Sequence, residues 1–201
     1  MFSVYKFKSG FQNLLRPLVR SLANAGVTAN SVTLFAFLLS LAVGILLALA
    51  PDSRIAYLAY PILLFVRMAL NAMDGMLARE FEQKSHLGAF LNELCDVLSD
   101  AALYLALGML ATASMGLASV FTLLAVTTEV AGLTALSIGA SRRYDGPMGK
   151  SDRAFIIGAF MFFAALFPRS LEWTDLLLVI LSILCMVTIV NRIQKGLKEL
   201  K

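Results

Sequence analysis

The chain has 201 residues, 59% hydrophobic and 15% charged, with a formal net charge of +4. So large an apolar share excludes an ordinary water-soluble domain and assigns the chain to a bilayer. The positive excess lacks the aromatic-basic interleaving that binds nucleic acid, so no nucleic acid partner is expected, and it reads as a signal for topology and anionic lipid.

The first stretch, "MFSVYKFKSGFQNLLRPLVRSLANAG", places Phe7, Phe11, Leu14, Leu15 and Leu18 at helical spacing beside Lys6, Lys8, Arg16 and Arg20. This pattern predicts an amphipathic helix on the membrane surface over residues 1–27. The stretch has neither the continuous apolar core nor the small-residue cleavage site of a signal peptide. A membrane-spanning helix takes about 20 mostly apolar residues. Windows of that kind run over 31–50, 55–78, 87–111, 117–140, 154–167 and 176–193, the fifth being short. The expectation is an all-α polytopic membrane protein, one domain over 1–201, with the surface helix followed by a six-helix transmembrane bundle over 28–201.

Charge in the connections sets the orientation. Arg79 and Lys84 follow the second window, Arg142, Arg143, Lys150 and Arg153 follow the fourth, and Arg192, Lys195, Lys198 and Lys201 close the chain. The alternate connections hold Arg54 and Arg169. Both termini and the loops 79–87 and 141–153 are therefore expected in the cytoplasm. Cys95 and Cys185 fall inside windows without metal spacing and read as small packing residues. His86, the lone histidine, reads as solvated.

The third window carries Glu93, Asp96 and Asp100, and the second ends with Asp74 and Arg79. A charge at the centre of a membrane helix costs about 2.5–3.5 kcal/mol on insertion scales, so these acids call for a polar interior. At about 100° per residue, Asn71, Asp74 and Ala78 share one face, with Arg67 a turn earlier. Gly88, Asn92, Asp96 and Asp100 step by four along another, with Glu93 beside them. The short connection predicts antiparallel neighbours that bring the two faces together. Asp74 and Asn92 then lie about 7 Å from the cytoplasmic ends by the helical rise. Carboxylate and amide oxygens in such a pocket suit a hard divalent cation.

These residues carry a resemblance. "NAMDGMLAREFEQKSHLGAFLNELCD" resembles the signature of the CDP-alcohol phosphatidyltransferases, D-x-x-D-G-x-x-A-R-x8-G-x3-D-x3-D, with every spacing kept. Asp74, Gly75, Ala78, Arg79, Gly88 and Asp96 match by identity, while Asn71 and Asn92 stand at the first and third aspartate positions. "GVTANSVTL" resembles that family's entry into its first helix and "GPMGKSDRA" the basic segment before its fifth. The two asparagines, with "FVRMALNAMDGMLARE" around the first, look like the family's YnbA-type branch.

The resemblance implies phospholipid biosynthesis in a bacterial inner membrane: transfer of a phosphatidyl group from CDP-diacylglycerol or a similar CDP-lipid to the hydroxyl of a small alcohol, with release of CMP. It implies Mg²⁺ or Mn²⁺ at Asp74, Asn71, Asn92 and Asp96, with Glu93 and Asp100 as further candidates, and Asp96 as the general base. Thr33, Asp74, Gly75, Ala78, Arg79 and Gly88 are placed near the nucleotide. Lys150 and Arg153, and beside them Glu129, are candidates for the acceptor or its phosphate. A homodimer is implied too, and Gly132, Ala135 and Gly139 in "AGLTALSIGAS" offer small residues for close helix approach.

Four aspartates balance two divalent cations; Asp74 and Asp96 supply half that charge, and asparagine offers only a neutral carbonyl oxygen. Three readings stay open: an active transferase holding one metal or completing a second with Glu93 or Asp100; a catalytically impaired relative that binds nucleotide, lipid or a partner; and an ion-coupled transporter. For Gly75, Ala78 and Gly88, close helix packing is the plain alternative, as is a structural hydrogen bond for Asp100 and for Glu129 and an ion pair of Asp74 with Arg67 or Arg79.

Overall fold

The computed structural model describes residues 4–200, with side chains from Gly10 onward. The expected roles of the Lys6, Phe7 and Lys8 side chains and of Lys201 lie outside the described residues. All regular structure described is helical: α1 (Val4–Asn24), α2 (Ala29–Leu49), α3 (Arg54–Glu80), α4 (His86–Leu107), α5 (Met115–Ser137), α6 (Lys150–Leu166), a short 3₁₀ turn (Pro168–Trp173) and α7 (Thr174–Glu199).

Local chemistry sets the helix starts. Thr28 and Ser31 form a reciprocal capping box at α2, each hydroxyl accepting the other's backbone N–H at 3.1 Å. Ser85 caps α4 by accepting the Gly88 N–H at 2.9 Å. Asp152 accepts the Gly149 N–H at 3.0 Å, so α6 begins at Lys150, earlier than the apolar run at 154 suggests.

Among the described residues, four segments are long and apolar enough to cross a membrane: Ala29–Leu49, Arg54–Glu80, Met115–Ser137 and Pro168–Glu199. The expected count was six. α4 falls short because of its carboxylates and α6 because it has 17 residues. Both nevertheless present apolar side chains outward, Leu87, Phe90, Leu94 and Leu98 on α4 and Phe155, Phe162 and Phe163 on α6. On α4 the polar face points inward, the reverse of a soluble amphipathic helix.

Close helix packing runs in the order α6, α3, α2, α4, α5, α7. Small residues permit it: a Cβ on Gly44 of α2 would lie 3.2 Å from the Ala102 carbonyl oxygen of α4. The polar faces of α3 and α4 do come together, through side chains rather than close backbone packing. Each packs on α2, and their backbones stay apart. The short 81–85 connection brings their ends together, and the space between them is bridged directly by side chains such as Tyr60, Arg67 and Asn71 of α3. An apolar core formed by residues such as Leu47, Tyr60, Leu103, Phe121, Met161 and Leu178 fills the far half of the bundle.

One end gathers the basic segments. Gln83 accepts the Ala29 N–H at 2.6 Å, and Arg16 of α1 forms a two-pronged pair with Glu80, both contacts 3.0 Å. The 138–149 loop folds onto the end of α7: the Met148 N–H donates to Thr188 at 2.9 Å, and Glu199 accepts from Ser141 at 2.9 and 2.7 Å. Gly146, at φ +119°, is needed there, because a Cβ would sit 2.7 Å from the Thr188 backbone.

Candidate active site

The space between α3 and α4 opens at this basic end. From α3, Asp74 is 4% exposed and accepts the Thr33 hydroxyl of α2 at 2.8 Å. From α4, Asp96 keeps a quarter of its side chain exposed. Its Oδ1 accepts the Asn71 amide N–H at 3.0 Å, faces Arg67 at 3.3 Å and pairs with the Lys150 ammonium from α6. Two halves of the motif that are 25 residues apart in sequence thus meet on one oxygen. Asn92 lies half-buried one turn toward the opening.

Below this layer lies a buried ionic one. Arg67 donates to Asp100 at 2.5 Å, and Tyr104 donates its hydroxyl to the same carboxylate at 3.2 Å. Arg153, 0% exposed, reaches Asp100 at 3.3 Å, Glu129 at 3.1 Å, Thr128 at 2.9 Å and the Met148 carbonyl at 3.0 Å. Arg192 of α7 donates to the Thr128 carbonyl and lies 3.5 Å from Glu129. Buried charges at such cost need partners on every side, and here each has them.

The layer shows where several of the candidate side chains are engaged. Arg153 is not a free contact for an acceptor phosphate: its guanidinium is consumed by Asp100 and Glu129, and the gap beside them has a volume of about 10 Å³, room for one water at most. Glu129 is tied to two arginines in the same way. Glu93 is held by Arg142 through both carboxylate oxygens, so neither it nor Asp100 is open toward a metal. Arg67 pairs with Asp96 and Asp100, and no pair of it with Asp74 exists among the described residues.

Thr33 faces Asp74 and not the opening. Arg79 folds back over Gly75: a Cβ there would lie 3.0 Å from its guanidinium. Ala78 packs partly against the apolar cluster around Val19, Val32 and Leu77. Gly88 lets α4 approach α2, since a Cβ would lie 2.8 Å from the Asn30 side-chain oxygen. Tyr104, Thr128 and Arg192 were not singled out as site residues from the sequence. Tyr104 had a signal, continuing the four-residue step from Asn92 through Asp96 and Asp100; Arg192 was hidden among charges that report topology.

The donors at the opening are carboxylate and amide oxygens, a set that fits a hard divalent cation. Among the described residues no three of His, Cys, Asp or Glu converge to hold a metal.

The family model for CDP-alcohol phosphatidyltransferase matches residues 26–190. The chain belongs to that family. Its relatives include the inner membrane protein YnbA of Escherichia coli (strain K12), 47% identical over 94% of both chains. The archaetidylinositol phosphate synthase of Pyrococcus horikoshii is 28% identical, covering 98% of this chain and 97% of that one. The fold matches a crystal structure of Mycobacterium tuberculosis phosphatidylinositol phosphate synthase with CDP-DAG bound, at TM-score 0.74 and 21% identity, covering 90% and 92% of the two chains. A second structure of that synthase, in complex with manganese and citrate, gives the same TM-score of 0.74 at 20% identity, covering 90% of this chain and 87% of that one. The CDP-alcohol phosphatidyltransferases are divalent-metal-dependent membrane transferases of phospholipid biosynthesis, and the ion-transporter reading is set aside.

Proposed function

We propose that this protein transfers a phosphatidyl group from CDP-diacylglycerol or a similar CDP-lipid to the hydroxyl of a small alcohol. The acceptor oxygen bonds to the lipid-bearing phosphorus, the bond from that phosphorus to the CMP oxygen breaks, and the hydroxyl proton passes to a carboxylate. The observation that carries this reading is the meeting of Asn71, Asp96 and Lys150 on one oxygen, beside the Asp74 of the same motif.

Exposure separates the two acids. Asp74 is enclosed by Thr33 and suits a fixed ligand; Asp96 is open and suits the general base. A Mg²⁺ or Mn²⁺ at these residues, with the Asn92 amide beside them, would screen the diphosphate's charge, while the Asn71 amide N–H is given to Asp96. Gly75, Ala78 and Gly88 leave the opening low-walled for the nucleotide, and Arg79, exposed at the rim, supplies a cation to its phosphates. Lys150 lies where it reaches both Asp96 and an incoming phosphate. Arg153, Glu129 and Asp100 hold the floor rather than the acceptor.

In this reading six helices span a bacterial inner membrane, with α4 and α6 carried inside the bundle, α1 lying at the interface, and the site and both termini on the cytoplasmic face. The basic residues clustered at one end support that orientation. A homodimer belongs to the reading on family resemblance alone, and a monomeric mass in nanodiscs removes it.

The test is purified protein in nanodiscs with CDP-diacylglycerol and a panel of alcohols, CMP release and lipid products being read by mass spectrometry. A CMP-coupled lipid product is expected for at least one acceptor. CDP-lipid binding without release across a broad panel would make the chain a binding member of its family.

A further inference from the structure

We propose that this site holds one divalent cation, and that the Lys150 ammonium takes the part of a second. The inference rests on the phosphatidyl-transfer reading and specifies the cations of that site. Asp74 and Asp96 carry two negative charges where the four-aspartate pattern carries twice that. A second ion would need further anionic ligands, and the sequence offers only Glu93 and Asp100 nearby. The fold spends both: Glu93 closes onto Arg142, and Asp100 sits 5% exposed between Arg67 and Arg153 with Tyr104 on its free side.

The same fold fills the remaining oxygen with donors. Asp96 Oδ1 receives the Asn71 N–H, Arg67 and the Lys150 ammonium. Asn71 turns its donor, not its carbonyl oxygen, toward Asp96, and a donor repels a metal ion. An aspartate at 71 would face Asp96 with like charge and invite a cation between them; asparagine instead bonds Asp96 directly, and beside the buried Arg67 the open side of that oxygen is met by Lys150. The N-terminus of α6 fixes it there, since Asp152 caps that helix through the Gly149 N–H at 3.0 Å. Asn71 and Lys150 form one solution to the charge of this pocket: an ammonium can meet a diphosphate without the anionic ligands a second divalent ion demands.

The experiment counts Mn²⁺ bound to the purified full chain by electron paramagnetic resonance of free ion against total. One Mn²⁺ per chain is expected. Two would overturn the inference and leave the transferase reading standing; none, together with no CMP release, would overturn both. Lys150→Met should keep one Mn²⁺ and tighten its Kd about five-fold, because a like charge leaves a partly desolvated pocket. An unchanged Kd would separate Lys150 from the cation site. In Asn71→Asp/Asn92→Asp/Lys150→Met, two Mn²⁺ per chain are expected, and a folded triple variant that still binds one shows that Lys150 stands in for nothing. The wild-type count and the single variant remain decisive if the triple variant does not fold.

Discussion

Arg153 carries a full charge with none of its surface exposed, and Asp100 and Glu129 on either side offset that burial. Arg153→Ala would leave two carboxylates without their shared cation, and losing one partner of a buried pair costs about 3–5 kcal/mol. A clear fall in the thermal unfolding midpoint of the detergent-purified protein is expected, together with weakened packing of α4 on α5. Asp96→Asn tests a different property of a neighbouring acid. It preserves shape and hydrogen bonding but removes the base, so CMP release should fall by at least about a hundredfold while the unfolding midpoint stays near that of the wild type. Asp74→Asn should also abolish release, with Mn²⁺ affinity falling alongside. If CMP release survives Asp96→Asn, the base lies elsewhere. The motif itself was legible in the sequence because its spacing is fixed by helical geometry. The partners of the α4 acids were not: Lys150, Arg142 and Arg153 lie 49 to 54 positions from Asp96, Glu93 and Asp100, and only the fold closes such distances.

Among the elements, the 138–149 loop shows how a basic connecting segment becomes structural. Arg143 pairs with Asp145 at 2.7 Å and with Glu199 at 2.6 Å, and Lys195 of α7 reaches Asp145 at 2.8 Å. Lys195 foremost, with Arg143, holds the Asp145 carboxyl below the usual carboxylate range. A depressed acid stabilises the fold above its unfolded pKa and loses that contribution as pH falls through its folded pKa. The loop should therefore stay docked at neutral pH and loosen in the acid range, below the ordinary aspartate value. Hydrogen exchange of amides 141–149 should rise there in the wild type, while in Asp145→Asn it should be raised already at neutral pH and vary less on acidification. Here charge counts alone mislead, since the loop's basic residues were legible as topology but not as ties. The stripe of Gly132, Ala135 and Gly139 is a parallel case. A Cβ on Gly132 would meet the Arg143 carbonyl oxygen at 2.7 Å, Ala135 lies against Gly196 of α7, and Gly139 ends α5 at φ +97°. These small residues serve contacts within one chain, so their spacing carries no argument for a dimer.

For the whole molecule, the hydropathy pattern located every helix of the bundle to within a turn or so at most ends, because burial in lipid and burial in protein select the same apolar residues. It could not give the neighbour relations. Periodicity reports which face is polar, not which helix it meets, and the short 81–85 connection signalled that the α3 and α4 faces meet without showing that both helices also pack on α2. The result is an outer wall of apolar side chains around charged groups that touch one another and little else. In the buried layer and its roof, Arg67, Arg153 and Arg192 face Asp96, Asp100 and Glu129, a balance in which no helix is complete by itself.

That balance has a consequence for how the chain is made. Arg67 emerges from the ribosome before Asp96 and Asp100, and Glu129 before Arg153 and Arg192, so Arg67 and Glu129 must each wait for a counter-charge on a later segment. α4 offered alone to the insertion machinery should be rejected, since its acids would enter lipid unpaired. Truncations that end before α6 should leave Asp100 with Arg67 alone and Glu129 with none of its arginines, and such nascent chains should be cleared by membrane proteases. Lengthening them through Arg153 and then Arg192 should restore protection in two steps, which pulse-labelled fragments of graded length would display.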